Sequence, residues 1–248
     1  MFKHAALAFG ILAGTQAAAF DLGAMTDDER TAFRAEIRAY LLANPEVIME
    51  AVSVLEQREQ AAKANNDVAL AVNYADPLMN DGHSFVGGNP DGDITIVEFM
   101  DYRCGYCKKA FPEVASLIAS DGNIRYILKE FPILGEQSML AAQFALAVKI
   151  VAGDEAYEEV HNTLMEFRGD MSQENLMRLA RDLDLDIASI TVEMGGSAVA
   201  KIINNNRLLG QAMQISGTPT FVVQDQMLRG YVPQAQMEQI VAAVRDKG

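Results

Sequence analysis

One short stretch constrains this chain more than any other. Residues 94–100, Ile-Thr-Ile-Val-Glu-Phe-Met, are β-branched and apolar enough to read as a buried strand. Four residues later comes Cys104-Gly105-Tyr106-Cys107, which holds the only two cysteines of the sequence. Residues 110–119 continue as a helix that Pro112 bends or restarts, and 124–131 read as the next strand. Strand, cysteine pair, helix and strand make a β-α-β unit, which requires parallel pairing through a right-handed crossover. A chain organised around such a unit is α/β.

The chemistry follows from where the pair sits. A cysteine at the N-terminus of a helix meets free N–H groups and partial positive charge, which stabilise its thiolate. The pKa of such a group typically falls to about 3.5–7.5. Thiolate is the attacking form in disulfide exchange. Cys104 is therefore the candidate nucleophile. Cys107, one turn in and within disulfide reach, is the more buried, resolving thiol.

Two thiols have other possible uses. Two cysteines are too few for a disulfide framework, and a disulfide across so short a loop stabilises little. Zinc wants four ligands, and His83 and His161 match no finger spacing. Cu(I) needs only two soft thiolates and stays a rival. A second signal is Gly217-Thr218-Pro219-Thr220, just before a short apolar run. Proline there is a strand-start or edge residue, and the local sequence leaves its isomer open.

The rest of the chain frames this unit. Lys3 and His4, the apolar run 5–14 and Ala17-Ala18-Ala19 read as an export signal cleaved after Ala19, with an uncleaved anchor as the competing reading. About ten apolar residues are too few to span a bilayer. Export leads to an oxidising compartment.

Residues 20–75 read as an N-terminal helical region. Thr26 and Glu29 form a capping box, and Phe33, Ile37, Tyr40 and Leu41 lie on one helical face. Asn44 is expected to cap a second helix, with Pro45 in its first position. Val47, Ile48, Ala51, Val52 and Leu55 make its stripe, and a polar run from Glu56 to Asn66 follows. Such small faces must pack on the main domain or on copies of themselves. The residues leave both open.

Residues 76–248 form the expected main domain. Its first part, 76–93, reads as loop with a short strand at 84–86. A helical insertion covers about 136–213, marked by Leu140, Phe144, Val148, Leu176, Leu179, Leu183, Ile202, Ile203 and Leu209. Residues 220–223 and 227–230 read as a hairpin, and 234–244 as a final helix. A formal charge of −14, from 34 acidic and 20 basic residues, argues against nucleic acid and anionic lipid as partners.

The strand, the motif Asp101-Tyr102-Arg103-Cys104-Gly105-Tyr106-Cys107-Lys108-Lys109, the run Lys129-Glu130-Phe131-Pro132-Ile133-Leu134-Gly135 and Gly217-Thr218-Pro219-Thr220-Phe221 together resemble the DsbA-like branch of the thioredoxin superfamily, specifically its ScsC-type proteins. The resemblance covers about 78–244, and the helices from Thr26 to Gln60 also resemble the ScsC N-terminal region.

It implies a thioredoxin-like fold with an inserted helical subdomain and an N-terminal oligomerisation segment. It implies a cis Pro219 packed against the pair, with Thr218 offering backbone hydrogen bonds to an extended substrate. Glu98 would be a buried acid serving proton transfer at Cys107, while Gly105 and Tyr106 would tune the redox potential. That dipeptide departs from the Pro-His of DsbA itself, so strong oxidising power is not implied. No cofactor or metal is implied beyond the redox-active Cys104–Cys107 pair. Implied partners are cysteine-containing exported proteins, a membrane redox partner and copies of the chain itself, as a trimer. The expected activity is periplasmic disulfide exchange, with isomerisation favoured. The alternatives are a monomeric dithiol oxidase and a copper-binding protein using the same thiols.

Overall fold

The computed structural model describes residues 22–246, so the expected leader at 1–19 lies outside the described residues. A 3-10 turn at Leu22–Ala24 precedes α1 (Asp27–Ala43) and α2 (Glu46–Asn73). The capping box forms as expected: Thr26 Oγ1 accepts from Glu29 N–H at 3.3 Å, and the Glu29 carboxylate accepts from Thr26 N–H at 2.8 Å. The expected cap at Asn44 does not form. Its Nδ2 turns back and donates to Tyr40 O at 2.9 Å, closing α1 instead.

Contacts divide the chain between Glu59 and Gln60, earlier than the expected boundary at 75/76. The physical reason is that α2 changes character along its length. Its second part belongs to the larger unit: Asp67 receives two hydrogen bonds from Arg229, at 2.7 and 3.2 Å, and Ala71 is buried. In the first unit, α1 has no buried residue, and Phe33, Ile37, Tyr40, Ile48, Val52 and Leu55 are all exposed.

The larger unit continues with α3 (Ala75–Met79), where a loop was expected. Pro77 is tolerated because it falls in the first turn, where its missing N–H has no intrahelical acceptor. Then follow β1 (Phe85–Gly88), β2 (Ile94–Met100), α4 (Gly105–Asp121) and β3 (Ile124–Glu130). Pro112 lies inside α4 without ending it. The insertion is five helices: α5 (Glu136–Ala152), α6 (Asp154–Glu166), α7 (Gln173–Asp182), α8 (Ile187–Met194) and α9 (Ser197–Ala212). The hairpin β4 (Thr220–Val223) and β5 (Gln226–Arg229) and the helix α10 (Gln234–Arg245) close the unit.

The sheet order is β1-β3-β2-β4-β5. β2 and β3 are parallel, as the β-α-β reading requires, and the other pairs are antiparallel. All seven residues of β2 are buried, so it is covered on both faces. Ile94 and Ile96 pack with Ala110, Val114 and Leu117 of α4 and Met237 and Val241 of α10. Val97 and Phe99, pointing the other way, pack with Ala71, Leu78, Leu209 and Val222. A third core fills the helical insertion and reaches Met100, Tyr102 and both cysteines. Each fully buried large apolar side chain contributes roughly 1.5–3 kcal/mol. Among the described residues no helix is long and apolar enough to cross a membrane.

Candidate active site

β2 ends at Met100, and the chain turns through Asp101, Tyr102 and Arg103 to place Cys104 as the N-cap of α4. Asp101 organises this turn. Its buried carboxylate accepts from Arg103 N–H at 2.8 Å, Ile133 N–H at 2.8 Å and Leu134 N–H at 3.1 Å, and from the Ser138 hydroxyl. One acid thus ties the cysteine turn to the 132–135 loop and the start of α5.

Both cysteines are free thiols in this structure. Cys104 is more enclosed than its helix-end position alone predicts, at 7% exposure, while Cys107 is at 0%. The Cys104 thiol donates to Thr218 O at 3.1 Å. Thr218–Pro219 is a cis peptide bond, and Pro219 is buried. The loop before β4 therefore lies directly against Cys104. Gly105 and Tyr106 are exposed beside it.

The electrostatics separate the two sulfurs. The Cys104 pKa is held down at about 5, first by a hydrogen bond from the Cys107 thiol. Burial opposes this, while Thr218 and the N–H groups of Cys107 and Tyr106 reinforce it. Cys107 moves the other way: its bond to Cys104 pushes it far up, and burial and the nearby Glu98 add to the rise. The charge of the pair is thus concentrated on Cys104.

Glu98 alternates along β2 with Ile96 and Met100, which turns it to the face that α4 covers. It is 3% exposed and accepts a hydrogen bond from Tyr126 Oη of β3. Burial pushes its pKa up to about 8, against the Tyr126 bond, and the charge of Cys104 raises it further. Such an acid exchanges protons near neutral pH, which suits general acid–base work at the neighbouring thiol.

Sequence reasoning missed a second buried polar cluster. Tyr102 and Tyr157 each donate to Glu130 Oε1 at 2.7 Å, and His161 Nδ1 lies 3.2 Å from Tyr102 Oη. Glu130 Oε2 is buried without a partner, and burial lifts the carboxyl to about 8. Burial also lowers His161 to about 3, so it is neutral. The available signal was polar residues inside apolar runs, but nothing local pairs Glu130 with residues of α6. Among the described residues, no three or more His, Cys, Asp or Glu are grouped to hold a metal ion.

The model for the DSBA-like thioredoxin domain matches residues 95–242, and that for the copper resistance protein ScsC N-terminal domain matches 29–62. A thioredoxin-like oxidoreductase from Silicibacter pomeroyi is 39% identical with a TM-score of 0.65, covering 69% of this chain and 97% of its own. ScsC of Proteus mirabilis in a compact conformation is 28% identical with a TM-score of 0.63, covering 88% and 98%. Among curated proteins, the Na(+)/H(+) antiporter NhaA 1 of Salinispora arenicola is 32% identical over 139 residues, 56% of this chain and 21% of that protein. The chain thus spans about a fifth of the length of that relative.

Proposed function

The chain belongs to the DsbA-like thioredoxin-domain family of thiol-disulfide oxidoreductases, and we propose that it exchanges disulfides in exported, cysteine-containing proteins, chiefly as an isomerase. The observation that carries this reading is the Cys104 sulfur at the N-cap of α4, hydrogen-bonded to the carbonyl before Pro219. This supports the reading because the Cys104 thiol, whose anion is favoured by Cys107 and by the N–H groups of Tyr106 and Cys107, lies beside a backbone edge on which an extended peptide can lie.

In isomerisation the Cys104 thiolate attacks one sulfur of a wrong disulfide. A mixed disulfide forms, and a substrate thiolate leaves. Another substrate thiolate then attacks the substrate sulfur of the mixed disulfide, and Cys104 departs as thiolate with the pair still reduced. If Cys107 attacks Cys104 instead, after giving its proton to ionised Glu98, the substrate leaves reduced and the pair is oxidised. In oxidation a substrate thiolate attacks Cys104 of the disulfide, and Cys107 leaves and takes a proton from Glu98. A second substrate thiolate then displaces Cys104, which closes the substrate disulfide. Each oxidised or reduced pair must be reset, and a membrane redox partner is the expected agent. No organic cofactor enters any step.

Thr218 before the proline and the exposed apolar faces of α1 and α2 support the isomerase reading through self-association, with a trimer as the proposed number. The expected compartment is the periplasm. The test is refolding of scrambled ribonuclease by the full-length protein, with its size measured in the same buffer. Recovery of ribonuclease activity at a rate set by Cys104 supports the proposal, and a protein that oxidises dithiols but never rescues scrambled ribonuclease leaves the oxidase reading in its place.

A second reading is favoured by one observation, the match of residues 29–62 to a domain described for a copper resistance protein. Two thiolates suffice to bind Cu(I). Titration of Cu(I) against a competing chelator, with Cys104→Ser as control, separates this from exchange.

A further inference from the structure

Beside the cysteine pair, the first turns of α4 and the segment leading from α6 toward α7 enclose a cleft of about 890 Å³. Arg103 and Gly105, the two neighbours of Cys104 in the chain, both line it, so the cleft runs beside the turn that carries Cys104, while the sulfur itself lies outside its lining. Its charge is opposite to that of the molecule. Arg103, Lys108, Lys109 and Arg168 line it against a single carboxylate, Glu166, while the whole chain carries a formal charge of −14. Asp170 follows just beyond, engaged by Ser172 and Asn175 and within the field of Arg103.

The cations are gathered by specific bonds rather than scattered. Lys108 Nζ donates to Leu164 O at 3.0 Å and to Phe167 O, and Arg103 Nη1 donates to Gly169 O at 3.3 Å. Carbonyls fix these groups without neutralising them. Lys109 rests over the Tyr231 ring at 3.9 Å, and Arg168 is exposed. Burial and then the charges of Arg103 and Arg168 disfavour the charged form of Lys108, so like charges are crowded here at a cost. The Cys104 thiolate does not account for them, because its stabilisation comes from hydrogen bonds of Cys107, Thr218 and Tyr106. Phe111, Met165 and Phe167 give the same cleft an apolar floor.

We infer that this cleft selects substrates whose reactive cysteine is flanked by carboxylate side chains, an acidic peptide segment seated with an apolar side chain on the floor. The inference rests on the exchange reading of Cys104 and names its substrate class. Opposite charge raises the rate of productive encounter and is screened by salt.

The experiment uses the full-length reduced protein and three peptides. Each carries one cysteine as a mixed disulfide with a small neutral thiol, flanked by Asp, Ser or Lys, and the rate of attack is followed by stopped flow. At an ionic strength of about 0.01 M the Asp peptide should react about tenfold faster than the Ser peptide, and the Lys peptide slower than either. The differences should collapse at about 1 M, where the screening length is roughly 3 Å. The double variant Arg168→Gln with Lys109→Gln should bring the Asp-to-Ser ratio toward one. Equal rates for the three peptides, or a faster Lys peptide, overturn the inference and leave the exchange reading standing. Failure of all three to form a mixed disulfide with Cys104 overturns the exchange reading, and this inference with it. Arg168-dependent binding to phosphatidylglycerol vesicles without any peptide preference would assign the cleft to a membrane surface instead, and so would also overturn it.

Discussion

Two identical side chains, Cys104 and Cys107, are separated chemically by what surrounds them. With Cys104 held at about 5 and Cys107 pushed far above an ordinary thiol, iodoacetamide at pH 6 should label Cys104 alone. Peptide mapping that finds Cys107 labelled first would reverse the assignment. Accordingly Cys104→Ser should abolish exchange, while Cys107→Ser should accumulate mixed disulfides visible on non-reducing gels.

Glu98 gives a pH signature. Its carboxyl sits at about 8 in the folded chain against an ordinary 4.5. Between those values the folded state holds a proton that the unfolded state has released. Its contribution to stability is therefore fully present below about 4.5 and is lost as pH rises through 8. In the reduced protein, Glu98→Gln should gain on the parent between pH 5 and pH 8 by roughly 1–3 kcal/mol in urea unfolding. It should also slow resolution by Cys107 about tenfold or more. An identical stability difference at both pH values would show that Glu98 does not titrate there.

At the scale of elements, an ion pair between a buried lysine and a partly buried aspartate holds the approach to the sheet. Lys129 of β3 is fully buried and donates to Pro77 O at 3.0 Å and to the Asp81 carboxylate. Asp81 also accepts from Ser84 N–H at 2.9 Å and Ser84 Oγ at 2.7 Å. Burial alone would raise this carboxyl, yet the bonds from Lys129 and Ser84 hold it at about 2. This pair joins α3 and the turn before β1 to β3. Removing the cation leaves the partly buried acid without its partner, so Lys129→Met should cost about 2–3 kcal/mol, below the cost for a fully buried pair. Adding Asp81→Asn should restore part of it, and a double-mutant cycle measures the coupling. Strict additivity would mean that the two side chains do not stabilise one another. Nothing in the sequence paired them, because 48 positions separate them and an ion pair has no periodicity to read.

For the whole molecule, the exposed apolar faces of α1 and early α2 carry the assembly proposal. The full-length chain should sediment as an oligomer at micromolar concentration, and a chain starting at Gln60 as a monomer. The shortened form should lose scrambled-ribonuclease activity and keep dithiol oxidation, since several sites around one substrate raise the effective concentration of thiol. A cut at Asn66 is the poorer test, because it leaves Asp67, the partner of Arg229, at the chain end. A monomeric full-length protein would remove the basis for the isomerase preference.

The sequence by itself determined the parts whose physics is local. The capping box at Thr26, the buried strand Ile94–Met100, the parallel β-α-β order and the hairpin before α10 each follow from periodicity or from contacts a few residues apart. So does Cys104 at a helix N-terminus. Tertiary structure alone decided what depends on distant partners. A strand buried on both faces carries no alternation, so the face on which Glu98 lies could not be read from β2 itself. Likewise the meeting of Cys104 with Thr218 spans 114 positions, and Glu130 meets Tyr157 directly and His161 through Tyr102 only when α6 packs beside the sheet. Hydrogen bonds between such residues leave no trace in local sequence, because their energy exists only once the fold has brought the groups together and excluded water.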